Sequence, residues 1–191
     1  MRKSINVLLM CLCLFQTDLA FAVDTSVFGI GLGERLSLPE CDRLPGYDVS
    51  YENNSKYMCW KHTENSSLLA VRFPDGKSPN ISDGTDLYLN LINSKVEGVS
   101  IQTAGPPTQS AVLEVLTNKY GKPTKIDSVV KNNAFGAVLN SIEASWDFPE
   151  LSVMFSGVVK MNTGEVSVIS RRLRFRLERE KKENEKELPR M

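Results

Sequence analysis

One stretch of this chain carries the period of an amphipathic helix, and it has strand patterns on both sides. Val112, Leu113, Val115, Leu116 and Tyr120 recur at three- and four-residue spacing, which puts them on one helical face. Thr108 stands where a helix cap belongs. Gly121 and Pro123 stop the segment, as a left-handed residue followed by a breaker does. Strands, one main helix over about 108–120, then more strands describe an α+β chain whose antiparallel sheets pack against that helix.

The strand signals are short and regularly punctuated. Before the helix they fall at 27–32 (VFGIGL), 57–60, 68–73 and 87–92, with Val96, Val99 and Ile101 continuing beyond Asn93-Ser94. That dipeptide has the spacing of a tight hairpin. Pro74-Asp75-Gly76 is a turn, and Ala104-Gly105-Pro106-Pro107 breaks the sheet. After the helix come 126–130, 141–148 (Ile142, Ala144 and Trp146 on one face), 151–155 and 165–169. Pro149-Glu150 and Met161 to Gly164 supply the turns. Two small sheet halves joined near 104–123 are one way to arrange them. Gly31-x-Gly33 and Gly121-Lys122-Pro123 would then each open a run of strands, as a weak internal duplication.

The first 22 residues have the layout of an export signal. Arg2 and Lys3 precede an apolar run from Ile5 to Phe15, and Ala20-Phe21-Ala22 offers a small-x-small cleavage site. The run is about half of the ~20 residues a spanning helix needs. No small residues stand before Cys11 or Cys13 to mark a lipidation site. The expected organisation is a signal peptide at 1–22, a globular domain at 23–170 and a charged arm at 171–191. The expected compartment is the periplasm, with secretion the second choice.

Of the four cysteines, Cys11 and Cys13 leave with the leader, and Cys41 and Cys59 remain. An even pair in an exported chain reads as one disulfide. Seventeen residues intervene, unlike the two of a redox motif.

The arm departs from the body in charge. Nine basic and five acidic residues lie in 171–191, a net of +4, against 12 basic and 17 acidic ones in 23–170. Leu173, Phe175 and Leu177 alternate, which extends the sheet past Ile169, with a solvated helix beyond Leu177. Arg171, Arg172, Arg174 and Arg176 can fork onto carboxylates or phosphates and are candidate partner contacts. Tyr47, Tyr51 and Trp60, near the cysteine pair, are the others, since tyrosine and tryptophan dominate interface energetics.

Several chemistries are excluded or lack support. One histidine, His62, with two bridged cysteines cannot supply a zinc site. A Ser-His-Asp or Cys-His site would have to use His62, which sits beside a polar loop. Asp83, Asp86, Glu97, Glu143 and Asp147 offer acids for a glycosidase-type pair, but no spacing singles out two. A formal net charge of zero argues against nucleic acid as a partner. No catalytic residue, metal or cofactor is assigned.

The glycine-spaced opening (Gly29 to Gly33) and the helix ending Lys119-Tyr120-Gly121-Lys122-Pro123 before strands give a layout that loosely resembles small envelope α+β modules. Outer-membrane assembly lipoproteins and β-lactamase-inhibitor-like modules are examples. The resemblance implies a binding module and transfers no residue, because the lipidated cysteine of the first group is missing. The expected function is a non-catalytic exported binding or assembly factor. It would act through protein contacts, as an accessory to an envelope complex or as an inhibitor. A small hydrolase using a carboxylate pair, or a ligand carrier with an apolar cavity, is the alternative.

Overall fold

Alternation of apolar and polar residues along long strands buries one sheet face and leaves the other wet. The computed structural model describes residues 24–43, 56–63, 68–74, 76–82, 86–132, 136–160 and 163–187. A short hairpin, β1 (Ser26–Val27) and β2 (Ile30–Gly31), comes first. Then follow β3 (Cys59–His62), β4 (Leu69–Arg72), β5 (Asp86–Ile92) and β6 (Lys95–Thr103). Helix α1 (Gln109–Tyr120) leads to β7 (Lys125–Asn132), β8 (Val138–Asp147), β9 (Leu151–Lys160) and β10 (Thr163–Ser170). Helix α2 (Arg171–Glu187) ends the described chain.

The long strands form one antiparallel sheet in the order β3-β4-β5-β6-β10-β9-β8-β7. It consists of two four-stranded meanders. Segment 104–124 carries the chain from β6 to the far edge, so the second meander runs back and its last strand, β10, pairs with β6. The α+β expectation is met, and the charged C-terminal helix expected beyond Leu177 is present but begins earlier, at Arg171.

The covered face holds the core. Val71, Leu87, Leu89, Val99, Ile101, Val168, Val153 and Trp146 succeed one another across the strands and are almost wholly buried. Helix α1 lays Val112, Leu116 and Tyr120 on this face. It begins and ends where its sequence signals lie, with Gly121 at φ 78°, although the Thr108 hydroxyl donates to Gly105 O rather than capping the helix. Gln109 anchors the helix start: its Oε1 accepts from Ile142 N at 2.9 Å and its Nε2 donates to Asn140 O at 3.0 Å.

Two local expectations need correction. The apolar run 27–32 is a hairpin rather than one strand: Phe28 and Gly29 both have positive φ, 51° and 80°, which folds Val27 back onto Ile30. The sheet does not continue past Ser170, because α2 starts at once. The Ser170 hydroxyl accepts the Leu173 amide at 3.1 Å, which caps the helix, and Leu173 is buried. The alternation of 173, 175 and 177 is coincidental: only Leu173 turns inward, and Phe175 and Leu177 are exposed.

Gly164 marks the tightest strand contact. A Cβ there would lie 2.5 Å from Thr103 Oγ1, 2.7 Å from Ser156 O and 2.9 Å from Gly157 O. Two of these atoms are backbone carbonyls and cannot swing aside. Gly164→Ala should therefore destabilise the fold by about 2 kcal/mol. The check is a urea titration, in which the midpoint should fall at constant slope; an unchanged midpoint would show that β9 and β10 can part without penalty.

Candidate functional site

The second face of the sheet carries the polar half of the alternation, with a few buried apolar residues, Ala70 and Ile169 among them. Register places one residue from each long strand in a row across it: Lys61, Ala70, Tyr88, Ser100, Ser167, Met154, Ser145 and Lys125. A neighbouring row runs Gln102, Glu165, Ser156, Glu143 and Asp127. Small serines between longer side chains leave a trough. It is a groove of about 430 Å³ whose lining includes Met154, Val159, Ser145, Ser167, Glu143 and Glu165. Met154 and Val159, both more than two-fifths exposed, make its apolar part.

At the β7 side the groove ends in a hydrogen-bonded cluster. Lys131 Nζ donates to Glu143 Oε1 at 2.6 Å, to Val158 O at 2.6 Å and to Ser156 Oγ at 2.9 Å. Ser141 and Ser156 donate to the same Glu143 oxygen at 2.6 and 2.8 Å, and Ser141 Oγ accepts from Val158 N at 2.9 Å. These side chains tie β7, β8 and β9 together beyond Glu143, the last β8 residue toward its start that pairs with β9. A Ser156–Lys131 couple could serve hydrolysis only if the amine had a lone pair for the hydroxyl proton. Here three acceptors surround the ammonium, and Ser156 accepts from it.

Burial pushes the Glu143 carboxyl up, but hydrogen bonds from Lys131, Ser141 and Ser156 outweigh that and hold it below the ordinary value of 4.5. A carboxyl depressed in the folded state stabilises the fold above its unfolded pKa. That contribution is lost as pH falls below about 4.5 and through the folded value. Glu143→Gln should cost about 1 kcal/mol at pH 7 and nothing once both chains are below the transition. Urea unfolding at neutral and acid pH measures this; a variant as stable as the parent at pH 7 would remove the cluster's role.

The other end of this face is closed by α2. Leu173 sits over the paired Gly98 and Ile169, and a Cβ on Gly98 would come within 2.7 Å of its methyl. Beside it, β6 bulges: Asn90 pairs with Gly98 and Leu91 with Val96, which leaves Glu97 unpaired between them. The bulge turns Glu97 inward, where it is 3 % exposed. There it accepts a hydrogen bond from Ser170 Oγ and faces Arg172 Nη1 at 3.6 Å. A carboxylate at a helix start also meets the favourable end of the helix dipole. A hollow of about 460 Å³ beside this junction is lined by Glu97, Glu150, Arg171, Arg172 and Phe175, among others.

The arginines foreseen as partner contacts are engaged within the chain. Arg172 faces Glu97, and Arg174 donates to Ser152 Oγ at 2.6 Å with Asp147 at 3.9 Å. Arg171 lies over the Phe175 ring at 5.4 Å, and Arg176 pairs with Glu180 at 2.7 Å. Trp60 is half-buried, edge-on to His62 at 5.2 Å and packed on the core. Tyr47 and Tyr51 lie outside the described residues, as do Asp83 and residues 1–23, where the export signal was expected. Cys41 and Cys59 are bonded, with Cα atoms 4.9 Å apart.

Three of the candidate acids lie apart, each beside its own cation: Glu97 by Arg172, Glu143 by Lys131 and Asp147 by Arg174. The serine rows, Met154 and Lys131 escaped the sequence reading. Their only signal was the polar half of each strand's alternation. Among the described residues, no three or more His, Cys, Asp or Glu are grouped to hold a metal, and no helix is long and apolar enough to cross a membrane. No family model, no curated protein and no solved structure matches this chain.

Proposed function

We propose that this protein is a non-catalytic exported binding or assembly factor of the cell envelope, working in the periplasm through protein contacts on the open face of its sheet. The observation that carries this reading is the trough of serines around the exposed Met154, bounded by α2 at one end and by the Lys131–Glu143 cluster at the other. Small side chains on a rigid sheet leave room for a partner's larger ones, and methionine adapts to irregular apolar surfaces. The Cys41–Cys59 bond suits an oxidising compartment. Three of the five candidate acids, Glu97, Glu143 and Asp147, lie apart with a cation beside each, which favours binding over a hydrolase that needs two carboxyls in one cleft.

The test is capture from envelope extract with the mature chain, a Met154→Arg variant and a chain ending at Ser170. Loss of a specific partner with Met154→Arg, and not with an exposed control such as Val115→Arg on α1, would support the open face. A partner lost only on truncation would move the contact to α2. Equal capture by all four chains would refute the assignment.

A further inference from the structure

The two edges of the sheet are treated differently. Beside β3 runs segment 39–41: Cys41 N donates to Trp60 O at 2.8 Å and Trp60 N to Pro39 O at 2.9 Å, with the disulfide fixing the pair. At the other edge, β7 pairs with β8 over eight residues, and no described segment lies along its outer side. An unprotected edge of that length is a template for another strand. It is also apolar. Ile126, Val129, Val130 and the adjacent Val138 are four of the ten exposed large apolar residues in the described chain.

We propose that β7 is a self-association edge, which pairs antiparallel with β7 of a second copy about a two-fold axis through Val129. This goes beyond the open-face reading and does not depend on it. Self-complementarity about a two-fold axis selects the occupant, and avoidance of like charges selects the register. Lys125, Asp127, Val129 and Lys131 share the open face, as alternation and pairing with Ser145, Glu143, Ser141 and Leu139 require. With Val129 opposite its own copy, Asp127 stands opposite the other chain's Lys131, which keeps its own acceptors, Glu143, Ser156 and Val158 O, so that no like charges are set directly opposite. A one-residue shift of the axis to Ser128 would instead set Lys125 against Lys131, a like-charge pair.

The remaining residues fit the same register. Asp127 holds Lys125 of its own strand through Oδ2 at 2.8 Å. On the covered-face side Val130 lies opposite Ser128 and diagonal to Ile126 and Val130 of the second copy. The exposed apolar groups thus close on one another across the axis. A two-fold interface is self-complementary and closes at two copies. An eight-residue edge is smaller than the ~1,600 Å² of a standard interface, so dissociation near the micromolar range is expected.

The experiment is sedimentation of the mature, oxidised full chain from low to high micromolar concentration, together with two variants. The parent should pass from monomer to dimer and no further. Asp127→Lys, which places lysine opposite lysine twice, should weaken the dimer at least tenfold while the thermal melt of the monomer is kept. Val129→Cys should cross-link to itself through a short bis-maleimide, because the two side chains meet at the axis, whereas Val138→Cys, off the strand, should not. A parent that stays monomeric, a dimer indifferent to Asp127→Lys, or a Val129→Cys dimer that does not cross-link would each overturn the proposal. So would a monomer that takes an unrelated extended peptide along β7 instead.

Discussion

Trp146→Ala should be among the most damaging single substitutions in this chain, lowering stability by about 4 kcal/mol, within the range for buried Trp to Ala. In a domain of this size that corresponds to ~12 °C in the melting temperature. The indole is 1 % exposed in the middle of the covered face. It packs against Tyr120 at 6.4 Å, and its Nε1 donates to Gly121 O at 2.7 Å. One side chain therefore fills the space under α1 and holds the glycine that ends it. Trp146→Phe separates the two roles: it keeps most of the volume and strands the Gly121 carbonyl, which should cost about 1–2 kcal/mol. Losses for Ala and Phe that are both under 1 kcal/mol would mean that α1 is held elsewhere.

Tyr120 gives the same experiment a second readout. Burial, with the Asp24 carboxylate adding to it, pushes its hydroxyl up to about 12 from an ordinary 10. The neutral phenol is favoured in the folded chain. Its stabilising effect is therefore complete below pH 10 and declines as pH rises from 10 towards 12. Opening the pocket with Trp146→Ala should admit water and bring that titration back down.

What was legible in the sequence was local chemistry. The α1 segment stops where Gly121 and Pro123 say, and Asn93 and Ser94 take φ of 53° and 60° in the turn that their spacing predicted. The cysteine pair followed from counting. Phe28 is not a turn former, so its hairpin could not be read. The start of α2 was hidden because a Glu97 bulge 73 residues before Ser170 in another strand, not the α2 sequence, completes its cap. Strand order was hidden for the same reason. The pairing of β10 with β6 decides that β7 is an edge, and no pattern within 125–132 says so.

Breaking Cys41–Cys59 should have the second-largest effect, about 3 kcal/mol by the loop-entropy argument for a separation of 18 residues. The consequence extends beyond stability, because the bond secures the strip that covers β3. Without the covalent tie the strip keeps only non-covalent contacts, among them two backbone hydrogen bonds with Trp60 and, just beyond it, one from Tyr57 Oη to Asp42 Oδ2 at 3.2 Å. A chain with one open edge can pair through β7 and stop at two copies. A chain with both edges open can add neighbours at each side without closing, which is the route to fibres. Reduced and alkylated protein should therefore melt ~9 °C lower and, when concentrated, grow past the dimer. Asp127→Lys in the reduced chain should curb that growth, since β7 would pair poorly with either edge. If reduction leaves the melt unchanged, segment 39–41 is held by its packing alone. If it lowers the melt without larger assemblies, β3 is not a competent edge, and the disulfide's contribution is stability only.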